Sequence, residues 1–166
     1  MAKISNYKIS VKCHGCFSPT LNTDGKRNFS VIRRKFTYII FKVCERKHES
    51  GQHVNITKIR TFSQIPDSIR ELKTMLLWGE IGKPIIDNIT ASFDLGHHLI
   101  LNSVYLRLKK LYKVRYCPQR FPGLFLKINL GCALIFSSGK VCLVGFKHIK
   151  DIEKTEQVIK ELCFNL

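Results

Sequence analysis

The chain has 166 residues, 45% of them hydrophobic, which the length prior reads as one domain with enough apolar material for a real core and room for an internal duplication. Lys and Arg number 28 against 12 Asp and Glu, a formal charge of +16 that points to a polyanionic partner and leaves too few acids for two-metal nuclease chemistry. The seven cysteines are odd in number and lack disulfide spacing, the first residues carry no apolar signal core, and no apolar run reaches membrane-spanning length. Reduced thiols in a nuclear or cytosolic compartment are expected, with no membrane partner.

In chain order, residues 3–11 alternate at Tyr7, Ile9 and Val11 and predict a strand. Residues 13–25 have loop composition. Residues 28–33 and 36–41 read as two strands around the basic run Arg33-Arg34-Lys35, residues 43–51 as a solvated loop, and residues 53–59 as a further strand. The period then changes: Ile65, Ile69, Leu72 and Leu76 predict an amphipathic helix over 63–78, with Ser63 as N-cap and Pro66 and Asp67 in its first turn. Gly79, Gly82 and Pro84 end it and mark the one candidate boundary, between a first repeat over 1–80 and a second over 84–166.

After that boundary the pattern restarts. Residues 85–95 predict a strand. Asn102 is placed to cap a short helix with Val104, Leu108 and Leu111 inward and Arg107, Lys109 and Lys110 outward. Arg120-Phe121-Pro122-Gly123 puts an aromatic at a Pro-Gly corner. Strands follow at 124–128 and 133–136, and Ser137-Ser138-Gly139-Lys140 turns the chain into a strand over 141–146. Residues 151–162 read as a helix with Ile152, Ile159 and Leu162 on one face.

The halves align. Asn6 faces Asn88, an offset of 88 − 6 = 82, and Phe29 faces Phe121, 121 − 29 = 92. Phe41 faces Phe136, 136 − 41 = 95, and Thr57 faces Val144, 144 − 57 = 87. The offset rises and falls, so the first half lacks about ten residues early, by the difference of these offsets, and carries a longer hairpin later.

Phe121-Pro122-Gly123-Leu124 followed by Leu134-Ile135-Phe136-Ser137-Ser138-Gly139-Lys140, within such a duplication, resembles the TATA-box-binding protein family. The resemblance covers nearly the whole chain, more fully in the second half. It implies an α+β fold, a pseudo-two-fold saddle of curved antiparallel sheet with helices on the convex face, the two repeats forming one domain. It also implies a DNA-binding transcription initiation factor that bends A·T-rich, TATA-like promoter DNA through the minor groove and nucleates preinitiation complex assembly. Apolar wedges would enter base steps and kink the duplex; by resemblance these are Phe29, Phe41, Phe121 and Phe136. Asn6, Asn88 and Thr57 would address the acceptors of the groove floor, with Val144 in the place of a second threonine. Arg33, Arg34, Lys127 and Lys140 would bind phosphates, with Lys58 and Arg60 as further candidates.

The family's second repeat carries acids just before its F-P-G motif, where TFIIB docks. Tyr116-Cys117-Pro118-Gln119-Arg120 has none, so the standard TFIIB contact is not expected; other basal transcription factors or an RNA polymerase subunit remain as partners. Cys13, Cys16, Cys44 and His48 have ligand-like spacing, but Gly15-Cys16 matches a non-metal Gly-Cys of the family, and ordinary thiols are expected. No cofactor, metal or catalytic constellation is expected. The competing reading is a TBP-like protein-interaction module that has lost DNA binding. The expected compartment is the nucleus, or a cytoplasmic viral transcription site if the chain is viral.

Overall fold

The computed structural model describes residues 1–17, 29–33, 38–42, 52–128 and 131–164, with side chains described except at 14–17, 29–33, 38–42, 52–53, 75–78 and 164. The chain divides into two compact units, Asn6–Asp87 and a second formed by Met1–Ser5 with Asn88–Leu166.

The first unit is built from β1 (Lys3–Phe17), β2 (Phe29–Arg33), β3 (Tyr38–Lys42), β4 (Gln52–Ile59), α1 (Gln64–Met75) and β5 (Leu76–Ile81). Its strands pair antiparallel in the order β2-β3-β4-β1, and β5 pairs with the far end of β1. The alternation read in the sequence has a physical cause. Tyr7, Ile9, Val11 and Cys13 of β1 are buried together with Val54, Ile56 and Ile59 of β4, and α1, packed on β4 and β5, adds Ile65 and Leu72. Their neighbours Asn6, Lys8 and Ser10, and Asn55 and Thr57, stay half-exposed on the opposite face.

Two expectations fail here. Residues 13–17 are strand, not loop, because Cys13 to Phe17 find partners in β5, Cys13 opposite Ile81 and Phe17 opposite Leu76. The helix stops at Met75 for the same reason: Leu76 to Trp78 belong to β5. A continuous apolar run fits helix and strand alike, and the open edge of β1 decides between them. Nor does Ser63 cap the helix as expected: its hydroxyl pairs with Thr61 Oγ1 at 3.0 Å, while Gln64 Oε1 accepts the N–H groups of Arg60 and Thr61 at 2.9 and 3.2 Å. The expected loop at 43–51 lies outside the described residues.

The second unit contains β6 (Ile85–Asp94), α2 (Leu101–Leu108), β7 (Lys113–Cys117), β8 (Phe121–Ile128), β9 (Gly131–Ile135), β10 (Lys140–Phe146) and α3 (Ile149–Phe164). The strands run antiparallel in the order β6-β10-β9-β8-β7. One face is a continuous core of Ile89, Ala91, Leu124, Leu126, Ala133, Ile135, Val141 and Leu143. Leu101, Val104 and Leu108 of α2, and Ile152, Ile159 and Cys163 of α3, are buried with it, α3 packing on β10 and α2 on β7.

Asn102 is not the cap of α2; Ile100 occupies that position without a side-chain hydrogen bond, Leu101 takes the inward place, and Leu111 lies exposed beyond the helix. Leu162 of α3 is half-buried, and Cys163 fills the site below it. Strand β7, Lys-Val-Arg-Tyr-Cys, has no sequence counterpart among the expected elements. It lies at the end of the strand order, paired only with β8, where a basic strand is well placed. The turn between them is at 118–120, with Arg120 N–H donating to Cys117 O at 3.0 Å, so Phe121 opens a strand instead of sitting in a loop.

One bulge in each unit is built like its counterpart in the other. In β4, Thr57 and Lys58 together oppose Lys8, since Ile9 pairs with Ile56 but Tyr7 with Ile59. In β10, Val144 and Gly145 oppose Thr90, between the Ala91–Leu143 and Ile89–Phe146 pairs. Lys58 and Gly145 both have left-handed backbone, φ 63° and 87°. Asn6 Oδ1 accepts the Lys58 N–H at 2.6 Å, and Asn88 Oδ1 accepts the Gly145 N–H at 2.8 Å. These pairs reproduce the offsets 82 and 87 of the sequence alignment.

Lys58 holds a left-handed conformation that suits glycine. Replacing Lys58 by Gly is expected to stabilise the protein by up to about 1 kcal/mol, and Gly145→Ala to destabilise it by about the same, read from urea midpoints.

Glu156 on α3 is buried, its carboxylate accepting the Ala2 N–H at 2.5 Å and the Lys160 ammonium at 2.6 Å. Burial by itself raises its pKa, but Lys160 and the Ala2 N–H together hold it below the usual glutamate value. A lowered folded-state pKa means that the group's contribution is full above the unfolded value, about 4.3, and is lost as pH falls through the folded value. Glu156→Gln should therefore flatten the fall of stability on acidification below about pH 4.3, measured by denaturation at stepped pH.

Candidate nucleic-acid interface

The face of the second sheet opposite its core is half-exposed and mostly uncharged. Strand alternation places Asn88, Thr90 and Ser92 of β6 there, then Cys142 and Val144 of β10, Cys132 and Leu134 of β9, and Phe125 of β8. Lys127 and Lys140 follow the same alternation at its margins and are exposed, Lys127 opposite Cys132 and Lys140 opposite Asp94.

At the end of this face stand Phe121 and Phe136. Their rings meet edge to face, centroids 5.9 Å apart and planes at 63°. Phe121 remains 43% exposed, a large apolar surface with water on one side. Gly123 makes the pair possible: a Cβ there would come within 2.7 Å of Phe121 Cε1 and 3.0 Å of Phe136 Cε1. The hairpin beside Phe136 is fixed by its main chain. Phe136 N–H donates to Lys140 O at 3.0 Å, Gly139 N–H to Phe136 O at 2.9 Å, and Leu99 N–H to Ser137 O at 2.8 Å. Gly139 has φ 83°, and its missing Cβ leaves space for the His97 carbonyl.

In the first unit Asn6 and Thr57 come together, Asn6 Nδ2 donating to Thr57 Oγ1 at 3.3 Å beside the bulge. Ser10 Oγ donates to Asp87 Oδ1 at 3.0 Å on the same face. By register Arg33 lies opposite Tyr38, itself opposite Thr57, while Phe29 lies opposite Lys42. Lys58 and Arg60 are exposed, and Arg34 lies outside the described residues.

Phe41 departs from its expected correspondence. It pairs with Val54, as Ile135 pairs with Val141, and Tyr38 opposite Thr57 matches Cys132 opposite Val144. The offset in this strand is 132 − 38 = 94, so the position equivalent to Phe136 is Lys42, and Phe41 corresponds to Ile135. The sequence alignment could not fix this. The length of chain between β3 and β4 permits either register, and a slip of one residue exchanges the two faces of a strand.

Of the four residues with ligand-like spacing, only Cys13 has a described side chain. Cys13 is buried, which pushes its thiol up to about 11, and Cys44 and His48 lie outside the described residues. Sequence reasoning passed over Phe125, Leu134, Cys132, Cys142, Lys8 and Thr90. Their signal was available as the alternate parity of the buried positions on each strand.

The family model described as "Transcription factor TFIID (or TATA-binding protein, TBP)" matches residues 83–163. The TATA-box-binding protein 1 of Methanosarcina acetivorans is 28% identical over 177 residues, covering 99% of this chain and 95% of its own. The TATA-box-binding protein of Picrophilus torridus is 39% identical over 82 residues, 48% of this chain and 43% of its own. That of Archaeoglobus fulgidus is 36% identical, covering 58% of each. Among solved structures, "Methanococcus jannaschii TBP" superposes with a TM-score of 0.76 over 99% of both chains at 22% identity. The architecture is thus the α+β fold of the TATA-box-binding proteins. The chain is similar in sequence to members of that family, with the family model matching its second half.

Replacing Gly123 by Val should leave the core intact, because the atoms it meets are ring edges free to rotate away. The ring-to-ring NOE between Phe121 and Phe136 should disappear while the thermal midpoint falls only a few degrees, on the order of 1 kcal/mol.

Proposed function

We propose that this protein is a transcription initiation factor that binds A·T-rich, TATA-like promoter DNA through the minor groove, bends it, and nucleates a preinitiation complex. The observation that carries this reading is the Phe121–Phe136 pair, clamped over Gly123 at the margin of a half-exposed sheet face. An aromatic pair fixed in this way suits entry into a base step, where unstacking costs a few kcal/mol and is regained by contact with the bent duplex. The face behind it is mainly apolar and hydroxylic, which favours the A·T minor groove, free of the guanine amino group. Asn88 engages the bulge through Oδ1, and the rotamer leaves Nδ2 as the donor for a groove-floor acceptor. Asn6 and Thr57 have the corresponding role in the first unit, and Val144 supplies apolar contact in place of a hydroxyl. Lys127, Lys140, Arg33 and Arg34 bind phosphates. Phe29 keeps the strand alternation shared with Thr57 and is retained as the aromatic wedge of the first unit, although the register that sets Arg33 opposite Tyr38 and Lys127 opposite Cys132 gives it the place of Gly123 and not of Phe121; Phe41, in the register of Ile135, contributes less.

The partners that follow are double-stranded DNA and, beyond it, basal transcription factors or an RNA polymerase subunit. The β7–β8 hairpin is exposed at Cys117 to Arg120 and bears a base and no carboxylate, which argues against the standard TFIIB contact at that point.

A doubly labelled A·T-rich duplex, followed by fluorescence energy transfer, should shorten end to end on binding, and a G·C-rich duplex should not. Phe121→Ala and Phe136→Ala should each abolish the bend, and Phe29→Ala should reduce it more than Phe41→Ala. Wild-type binding that is equal for both duplexes and without a bend would overturn the function proposed.

A further inference from the structure

Lys8 is a half-buried lysine on the uncovered face of the first sheet, flanked by an amide and a hydroxyl, with the exposed Lys12 farther along the same face. It stands on β1 between Asn6 and Ser10, with its chain neighbours Tyr7 and Ile9 buried on the other side. It is the residue opposed by the Thr57–Lys58 bulge. It is half-buried, and among the described residues it has no hydrogen-bonding or ionic partner. The nearest acid along this face, Asp87, accepts the hydroxyl of Ser10. In the second unit the corresponding residue, opposed by the Val144–Gly145 bulge, is Thr90, whose hydroxyl is 3.1 Å from that of Ser5. The lysine therefore belongs to one repeat alone.

From this we infer that Lys8 is a base-reading residue that sharpens the preference for A·T at the step facing the first unit; the inference rests on the minor-groove reading above. When a duplex covers this face, the Lys8 ammonium leaves water. A buried charge without a partner is costly, so it must find acceptors. At an A·T pair the groove floor offers only acceptors, adenine N3 and thymine O2, and the ammonium donates to them. At a G·C pair the guanine N2 amino group is a second donor at the same place, and the lysine is left short of a partner beside it. Thr90, which can both donate and accept, imposes no such demand. One half-site is consequently read more strictly than the other.

The test is a binding series on an A·T-rich duplex in which each pair in turn is replaced by G·C or by inosine·C, which lacks the N2 amino group. Wild type should lose roughly 10-fold or more in affinity at one or two adjacent positions for G·C, within the 1–3 kcal/mol of a good base contact, and almost nothing for inosine·C. Lys8→Met should cut the loss at those positions to within about threefold, a difference of roughly 0.65 kcal/mol, and leave the other positions as they are; Lys8→Arg should preserve it. A melting curve beside each measurement confirms the fold of the variants. A uniform weakening by Lys8→Met on every duplex, with the salt slope reduced by about 0.9, would assign Lys8 to a phosphate and overturn the inference. An unchanged profile would overturn it equally. A wild type indifferent to all replacements would overturn the groove reading itself, and this inference with it.

Discussion

Helices cover one face of a strand pair, and a strand cannot hide both of its faces behind them. This constraint organises each unit. Once Ile9, Val11, Val54 and Ile56 are buried in the first unit, and Ala91, Leu124, Ala133 and Leu143 in the second, every intervening residue is committed to the opposite side. That side is lined in the second unit by half-exposed groups such as Asn88, Val144, Leu134 and Phe125. The phase is reset in each unit at the bulge of β4 or β10. There a left-handed residue turns its N–H to the side-chain oxygen of an asparagine from the neighbouring strand. The same hydrogen bond that satisfies the bulge also fixes the orientation of the amide.

The aromatic pair shows the other use of such economy. Two phenylalanines near water would ordinarily spread over the surface. Here the hairpin hydrogen bonds around Gly139 hold Phe136, the start of β8 holds Phe121, and the bare backbone of Gly123 lets the rings close over it. Little conformational entropy remains to be lost when they meet a ligand. The excess of bases over acids then acts at longer range, attracting a polyanion and making its affinity steeply salt-dependent.

Much of this was legible from residue order alone, and the failures have local causes. Alternation located β1 and β4 because half-buried strands leave a period of two. It missed β7, whose Lys-Val-Arg-Tyr-Cys is an edge strand with modest burial and thus little hydrophobic signal. It extended α1 through Leu76 to Trp78, since only the partner strand, distant in sequence, tells a buried helix end from a strand. Asn102 looked like a cap by residue type, yet Ile100 holds the position because Leu101 is needed in the core. The second-repeat candidates drawn from the resemblance lie on one face and its margin. The placement of Phe41 depended on a register that no local pattern contains.

The bulge contacts have a consequence for how the two halves of this chain could drift apart. The asparagine binds a main-chain N–H, and every residue but proline has one. Glycine at 145 and lysine at 58 satisfy it alike, at some cost in the second case. A repeat secured through main-chain groups can shed its recognisable side chains and still be built to the same plan. That asymmetry is visible in the likenesses themselves: the family model reaches only residues 83–163, whereas the structural likeness runs over 99% of the chain. Likeness to a sequence model is thus confined to one half, while likeness of the backbone extends to both.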